Sequence, residues 1–237
     1  MTGVANDKRR IIVKALARRR QLAQSEFVRF GAKVTQSLEA LADHSAESRD
    51  WDDALAALEE SVAITRDLAA ADPQTFMAPL SARLLKLSVA LYQAGDFARA
   101  IATAREAADR YRQVFVGRPD AVGDSLILAL KHLSCGLAVT GDAAAALAAM
   151  REAVAEHRKR NASSGRRDSC SLAWSVGLLG MRLRLAGDID GARNATAEAI
   201  AILNAGLTAG LAADGPVPET VLAYLCREYD SLVGQDT

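Results

Sequence analysis

Aromatic residues are scarce in these 237 residues, at five Phe, four Tyr and two Trp, and there are only five Pro, three Cys and three His. Cys135, Cys170 and Cys226 are an odd count without metal-like spacing. That argues against a disulfide framework or a zinc site and fits reduced thiols packed as small apolar groups. His44, His132 and His157 are scattered, and only His132 has a cysteine, Cys135, one helical turn away. No third group stands near in sequence to orient such a pair. A glycine-rich phosphate loop, a nucleophile elbow and paired-cysteine metal spacing are all missing. No catalytic, cofactor-binding or metal-binding residues are therefore expected, and no cofactor.

Long apolar runs are missing too. Nothing approaches the roughly 18 residues a membrane span needs, and Ile11-Ile12-Val13 ahead of Lys14 is too short for a signal-peptide core. The cytoplasm is the expected compartment. Sustained Val/Ile/Thr alternation is absent, so strands have little support. Net charge is absent overall but not locally. Residues 1–33 hold nine Lys/Arg against Asp7 and Glu26, a net +7, and the other 204 residues carry −7.

What the chain does have is a repeat. Gly95-Asp96, Gly141-Asp142 and Gly187-Asp188 recur every 46 residues, and Arg49-Asp50 falls in the same phase one period earlier. Ala54/Ala100/Ala146/Ala192 and Glu60/Glu106/Glu152/Glu198 follow the same period, as does the Leu series 41, 87, 133, 179 and 225. A period of this size marks a solenoid, whose modules share one core because none can bury its apolar face alone.

Each period reads as two helices. Leu80, Leu84, Leu87 and Leu91 form one apolar helical stripe between Thr75 and Ala94. Gly95 then suits the left-handed backbone that ends a helix, and Asp96 caps the next. The second helix, expected from Phe97 to Val116, carries Ala100, Ile101, Ala104, Ala107, Ala108 and Tyr111 inward. Ala42, Ser88, Ser134, Gly180 and Cys226 share a phase of small residues that lets the paired helices approach closely. Asp72-Pro73, Asn161 to Asp168, and Ala213 to Pro216 read as turns between repeats.

Leu87-Ser88, Leu91, Gly95-Asp96-Phe97, Ala100 and Ala107 reproduce the spacing of the tetratricopeptide repeat. The chain resembles that family, with units at about 29–71, 75–117, 119–163 and 167–209 and a capping helix at about 217–233. In unit one Arg49 replaces the turn Gly, and in unit four Arg193 and Thr196 replace apolar residues. The 46-residue period exceeds the family's usual 34, as in the longer repeats of kinesin light chains. The resemblance implies an all-α, right-handed solenoid of antiparallel helix pairs with a C-terminal cap. The domain division is then a basic helical segment at 1–28, the solenoid at 29–233 and a tail at 234–237.

It further implies that first helices line a concave groove. The carried-over residues are Glu39 and Asp43 in the first unit, and Leu85, Lys86, Val89 and Tyr92 in the second. The third gives Leu128, Lys131, His132 and Cys135, and the fourth Trp174, Leu178, Met181 and Arg184. Such a surface suits a protein or peptide segment that is apolar with some acidic character. The Lys/Asn clamp of chaperone-tail binders is absent. The Asp series reads as caps, while the Glu series and Arg66/Arg112/Arg158 read as solvated faces.

Ile12, Leu16, Ala23, Phe27, Phe30, Val34, Leu38 and Leu41 form an apolar stripe flanked by Lys8, Arg9, Arg10, Arg18, Arg19 and Arg20. Three uses follow: a degenerate first helix packed on the solenoid, a self-inhibiting segment in the groove, or a tether to nucleic acid or anionic membrane through residues 1–28. The leading expectation is a non-catalytic interaction module or adaptor. Alternatives are the tether and a regulatory subunit of a signalling NTPase or protease.

Overall fold

Each repeated step at Gly-Asp turns the chain from one helix into the next. Gly95, Gly141 and Gly187 take φ of +86°, +86° and +84°, and Arg49 takes +59° in the same phase. The following Asp amide then reaches back to the helix it leaves: Asp96 N–H donates to Leu91 O, Asp142 to Leu137 O and Asp188 to Leu183 O, each at 2.9 Å. This closes the last turn with a left-handed residue that only glycine adopts cheaply. The Asp side chains cap the next helix, Asp96 accepting from Arg99 N–H at 3.1 Å, Asp142 from Ala145 at 3.0 Å and Asp188 from Gly191 at 2.8 Å. Asp50 does the same for Asp53, at 3.3 Å.

The computed structural model describes residues 2–115, 119–163, 169–208 and 218–233. No strand occurs among them. The helices are α1 (Thr2–Ser25), α2 (Phe27–Glu47), α3 (Trp51–Ala71), α4 (Pro73–Gln93), α5 (Phe97–Phe115), α6 (Pro119–Val139), α7 (Ala143–Ser163), α8 (Ser169–Leu185), α9 (Ile189–Thr208) and α10 (Pro218–Val233). The expected helix pairs are therefore α2/α3, α4/α5, α6/α7 and α8/α9, with α10 as the fifth first-type helix. Helix α4 begins at Pro73 rather than Thr75, because Pro suits a first turn and Asp72 caps it by accepting from Thr75 N–H at 3.2 Å. The turn expected at 213–216, part of the turn from 161 to 168, and the tail at 234–237 lie outside the described residues.

The chain forms two compact units, Met1–Val114 and Phe115–Thr237. In the first, Leu38, Leu68, Leu80, Leu84 and Leu91 are each 1% exposed. The second is built likewise on Leu130, Met150, Val176, Leu203, Leu225 and Leu232. Burying such a side chain contributes about 1.5–3 kcal/mol.

Close approach within pairs rests on the small residues. Ser134 is fully buried, and its hydroxyl donates to Ala146 O at 2.8 Å. A side chain added at Gly180 would meet Thr196 Oγ1 at 2.8 Å and Ala192 O at 3.2 Å, so nothing larger than glycine fits between α8 and α9 there.

Helix α1 packs within the first unit. Leu16 is 3% exposed, Arg19 donates to Ser37 Oγ at 2.6 Å and to Lys33 O at 3.0 Å, and Arg9 and Arg20 pair with Asp53 and Glu60 of α3. Arg20 lies one period before Arg66, which donates to Glu106 at 2.6 Å, and Arg158 does the same to Glu198 at 2.6 Å. By phase and by contact, α1 is a second-type helix.

Candidate functional site

Within each unit first-type helices touch one another as well as their partners, and so carry a stripe that belongs to neither pairing. In the first unit this stripe is ion-paired. Arg83 of α4 lies 2.9 Å from Glu39 of α2 and donates to Thr35 Oγ1 at 2.9 Å, and Lys86 is 2.8 Å from Asp43. The positive charge expected at Lys86 is thus matched by the acid expected one unit earlier. Leu85 is 7% exposed and belongs to the core, while Val89 and Tyr92 are half-buried, Tyr92 standing edge-on to Phe97 at 5.3 Å.

In the second unit α6, α8 and α10 form the corresponding row. Trp174 is tilted against Tyr224 at 5.7 Å, the Tyr224 hydroxyl reaches Met181 Sδ at 2.9 Å, and Arg184 lies 3.5 Å from Glu228. Burial raises the Tyr224 phenol above its ordinary pKa, and the Glu228 charge adds to that. Leu128 on α6 is 45% exposed, and Lys131, His132, Cys135 and Leu178 are half-buried. Burial, and secondly the charge of Lys131, lower the pKa of His132, which keeps its imidazole neutral in neutral solution.

The residue that sequence reasoning missed is Arg182. It is 8% exposed, its Nε donates to Ser134 Oγ at 3.0 Å, and its Nη2 donates to Cys135 Sγ at 3.3 Å. Both partners are neutral, and among the described residues Arg182 has no ion pair. A buried charge without a counter-charge is costly. The available signal was that Ala90 and Gly136 hold the same phase, so an arginine there departs from a small-residue position.

Arg20, Arg66 and Arg158 pair with Glu60, Glu106 and Glu198, each forty residues on and roughly half exposed, and tie one second-type helix to the next within a unit. They are stacking ties between helices. Among the described residues no group of three or more His, Cys, Asp or Glu is placed to hold a metal, and no helix is long and apolar enough to cross a membrane.

The family model of the tetratricopeptide repeat matches residues 81–120. The chain folds as a helical repeat protein, and its fold is tetratricopeptide-like. Among solved structures, this repeat protein is similar to BtubC (BKLC) from P. vanneervenii, at 15% identity over 98% of this chain and 89% of that one, with a TM-score of 0.68. It also resembles the kinesin-light-chain-type protein of nearly identical TPR-like repeats from Podosopora anserina, at 18% identity over 84% and 92%, with a TM-score of 0.59. The Rap conjugation gene regulator of plasmid pLS20, in complex with the Phr* peptide, aligns at 13% identity over 90% of this chain and 55% of that one, with a TM-score of 0.52. No curated protein sequence matches. At these identities the likeness is one of fold.

Proposed function

We propose that this protein is a non-catalytic interaction module that takes a protein or peptide segment on the first-helix face. The recognised segment is apolar with a carboxylate. One observation carries this reading: Arg182 is a buried guanidinium whose partners among the described residues are neutral, on the row that also holds Leu128, Trp174, Leu178 and Met181. A ligand carboxylate beside Arg182 would supply the missing counter-charge in a low-dielectric setting, where charge-assisted hydrogen bonds are strong. Trp174 offers the large apolar surface that anchors disproportionate binding energy. Lys131, His132 and Arg184 flank this centre, while Lys86, Val89 and Tyr92 are the corresponding residues of the first unit, where Asp43 offsets the positive charge. The peptide complex of the Rap regulator supports a peptide as the kind of ligand such a fold takes.

The test is selection from a random peptide library, followed by titration of the selected peptides against wild type, Trp174→Ala and Arg182→Leu. Selected peptides are expected to share an acidic group beside an apolar residue, and each substitution is expected to weaken binding about tenfold or more with helicity unchanged. Peptides that bind all three proteins equally would overturn the reading.

A further inference from the structure

Helix α1 is of the second type and α10 of the first. Each carries a bare face at positions that are buried in the other repeats. Leu68 and Ile64 of α3 lie against Gly31 of α2, the first helix of their own pair, and Leu68 is 1% exposed. One period earlier the same positions on α1 are Leu22, 39% exposed, and Arg18. Ala57, 4% exposed, corresponds to Ile11 at 67%. By contrast Leu16, the equivalent of Val62, is as buried as its counterpart, at 3% each. Only the side of α1 that faces away from the rest of the unit is bare. It opens into a cleft of about 470 Å³ lined by Lys14, Ala15, Arg18, Arg19, Leu22, Phe30 and Lys33.

Helix α10 shows the converse. Its Leu225 and Val221 are buried on the preceding helices, as in any first-type helix. Cys226 holds the phase of Ser88 and Ser134, 2% and 0% exposed beneath their second helices, and of Gly180 pressed on α9, yet Cys226 is exposed. Ala223, Asp230 and Val233 share this bare side. The charges are opposite as well: Asp230 stands on the bare side of α10, and Lys14, Arg18 and Lys33 line the α1 cleft.

We propose that α10 of one copy docks on the α1 cleft of a second copy, the two packing as the first and second helices of a repeat do. The contact is heterologous, the α10 face of one molecule against the α1 face of the next, so association continues past a dimer unless the rotation closes a ring. Lys8 stands where complete units have alanine, and Ile11 where they have alanine or threonine. This joint is therefore wider than one within a chain, and it forms reversibly.

The experiment is sedimentation velocity on the full chain across a concentration series, with two charge-blocked variants whose folding is checked by circular dichroism. Ile11→Glu/Leu22→Glu blocks the α1 face and Ala223→Arg/Cys226→Arg blocks the α10 face, all at exposed positions. Wild type is expected to grow in mass with concentration. Each variant alone is expected to stay monomeric, and the two mixed are expected to form a one-to-one dimer through the one intact face of each. The proposal is overturned by a wild type that stays monomeric up to about 0.1 mM, by variants that still self-associate, or by a mixture that stays monomeric. An acidic helix of another protein on the α1 cleft would appear as the first of these.

Discussion

Arg49 occupies the one turn of the four where a side chain is held at positive φ, in the phase filled elsewhere by Gly95, Gly141 and Gly187. Left-handed backbone costs a non-glycine residue about 1–2 kcal/mol, and glycine returns part of that through the entropy of the unfolded chain. Arg49→Gly is thus expected to stabilise the protein by up to about 1 kcal/mol, and Gly141→Ala to destabilise it by a similar amount, both read from urea midpoints. At Arg182 the expectation runs against the usual rule for buried polar groups. Ser134 keeps its bond to Ala146 O when the guanidinium is removed, so Arg182→Leu orphans no acceptor and leaves thermal stability unchanged or raised. Losing peptide binding without losing stability is the signature that separates a binding cation from a structural one.

The caps give a pH dependence at the same scale. Asp72 is held below its ordinary pKa by its hydrogen bonds with Thr75, and Asp96 by its bonds with Arg99. A carboxylate with a lowered folded pKa adds stability that is present above its unfolded pKa and lost as pH falls through the folded value. Asp72→Ala and Asp96→Ala are therefore expected to lower the unfolding midpoint at neutral pH and to converge on wild type in acid below the ordinary carboxylate range, as thermal melts over a pH series would show.

At the scale of the element, α1 is the instructive case. Its stripe of Ile12, Leu16 and Ala23 announced an amphipathic helix, and its cations suggested a tether. Packing within the unit takes Leu16 out of water and engages Arg9, Arg19 and Arg20 with α2 and α3. Single surface pairs are worth at most about 1 kcal/mol and are screened by salt. Arg20→Ala is accordingly expected to cost less than about 1 kcal/mol, with the difference shrinking in high salt. Deleting residues 1–25 removes apolar burial as well, and its loss of unfolding midpoint is expected to persist at high salt. Equal effects of salt on both would show that α1 is held by charge alone.

At the scale of the whole molecule, two compact units and nearest-neighbour packing imply limited cooperativity. Urea unfolding is expected to depart from two-state behaviour, with an apparent m-value below that of a 237-residue cooperative domain and different midpoints for fluorescence and circular dichroism. Both Trp are useful here, since Trp51 lies in the first unit and Trp174 in the second. Coincident transitions with a full-sized m-value would contradict this.

The sequence by itself determined the period, the helix pairs and the turns, because these rest on local chemistry: glycine's tolerance of positive φ, aspartate's reach to the amide three residues on, and apolar spacing that matches a helical turn. It also marked Ala54, Ala100, Ala146 and Ala192 as contact points, because a small residue at a fixed phase has one packing meaning. Only the tertiary structure decided which charges meet. The Arg66–Glu106 and Arg158–Glu198 pairs each span forty residues, and their partners become neighbours only when outer helices stack. Lys86 meets Asp43 for the same reason, whereas Arg182 meets a hydroxyl and a thiol. Local propensity acts over one turn of helix, but the electrostatic environment of a side chain depends on what folding brings within a few ångströms of it from a repeat away.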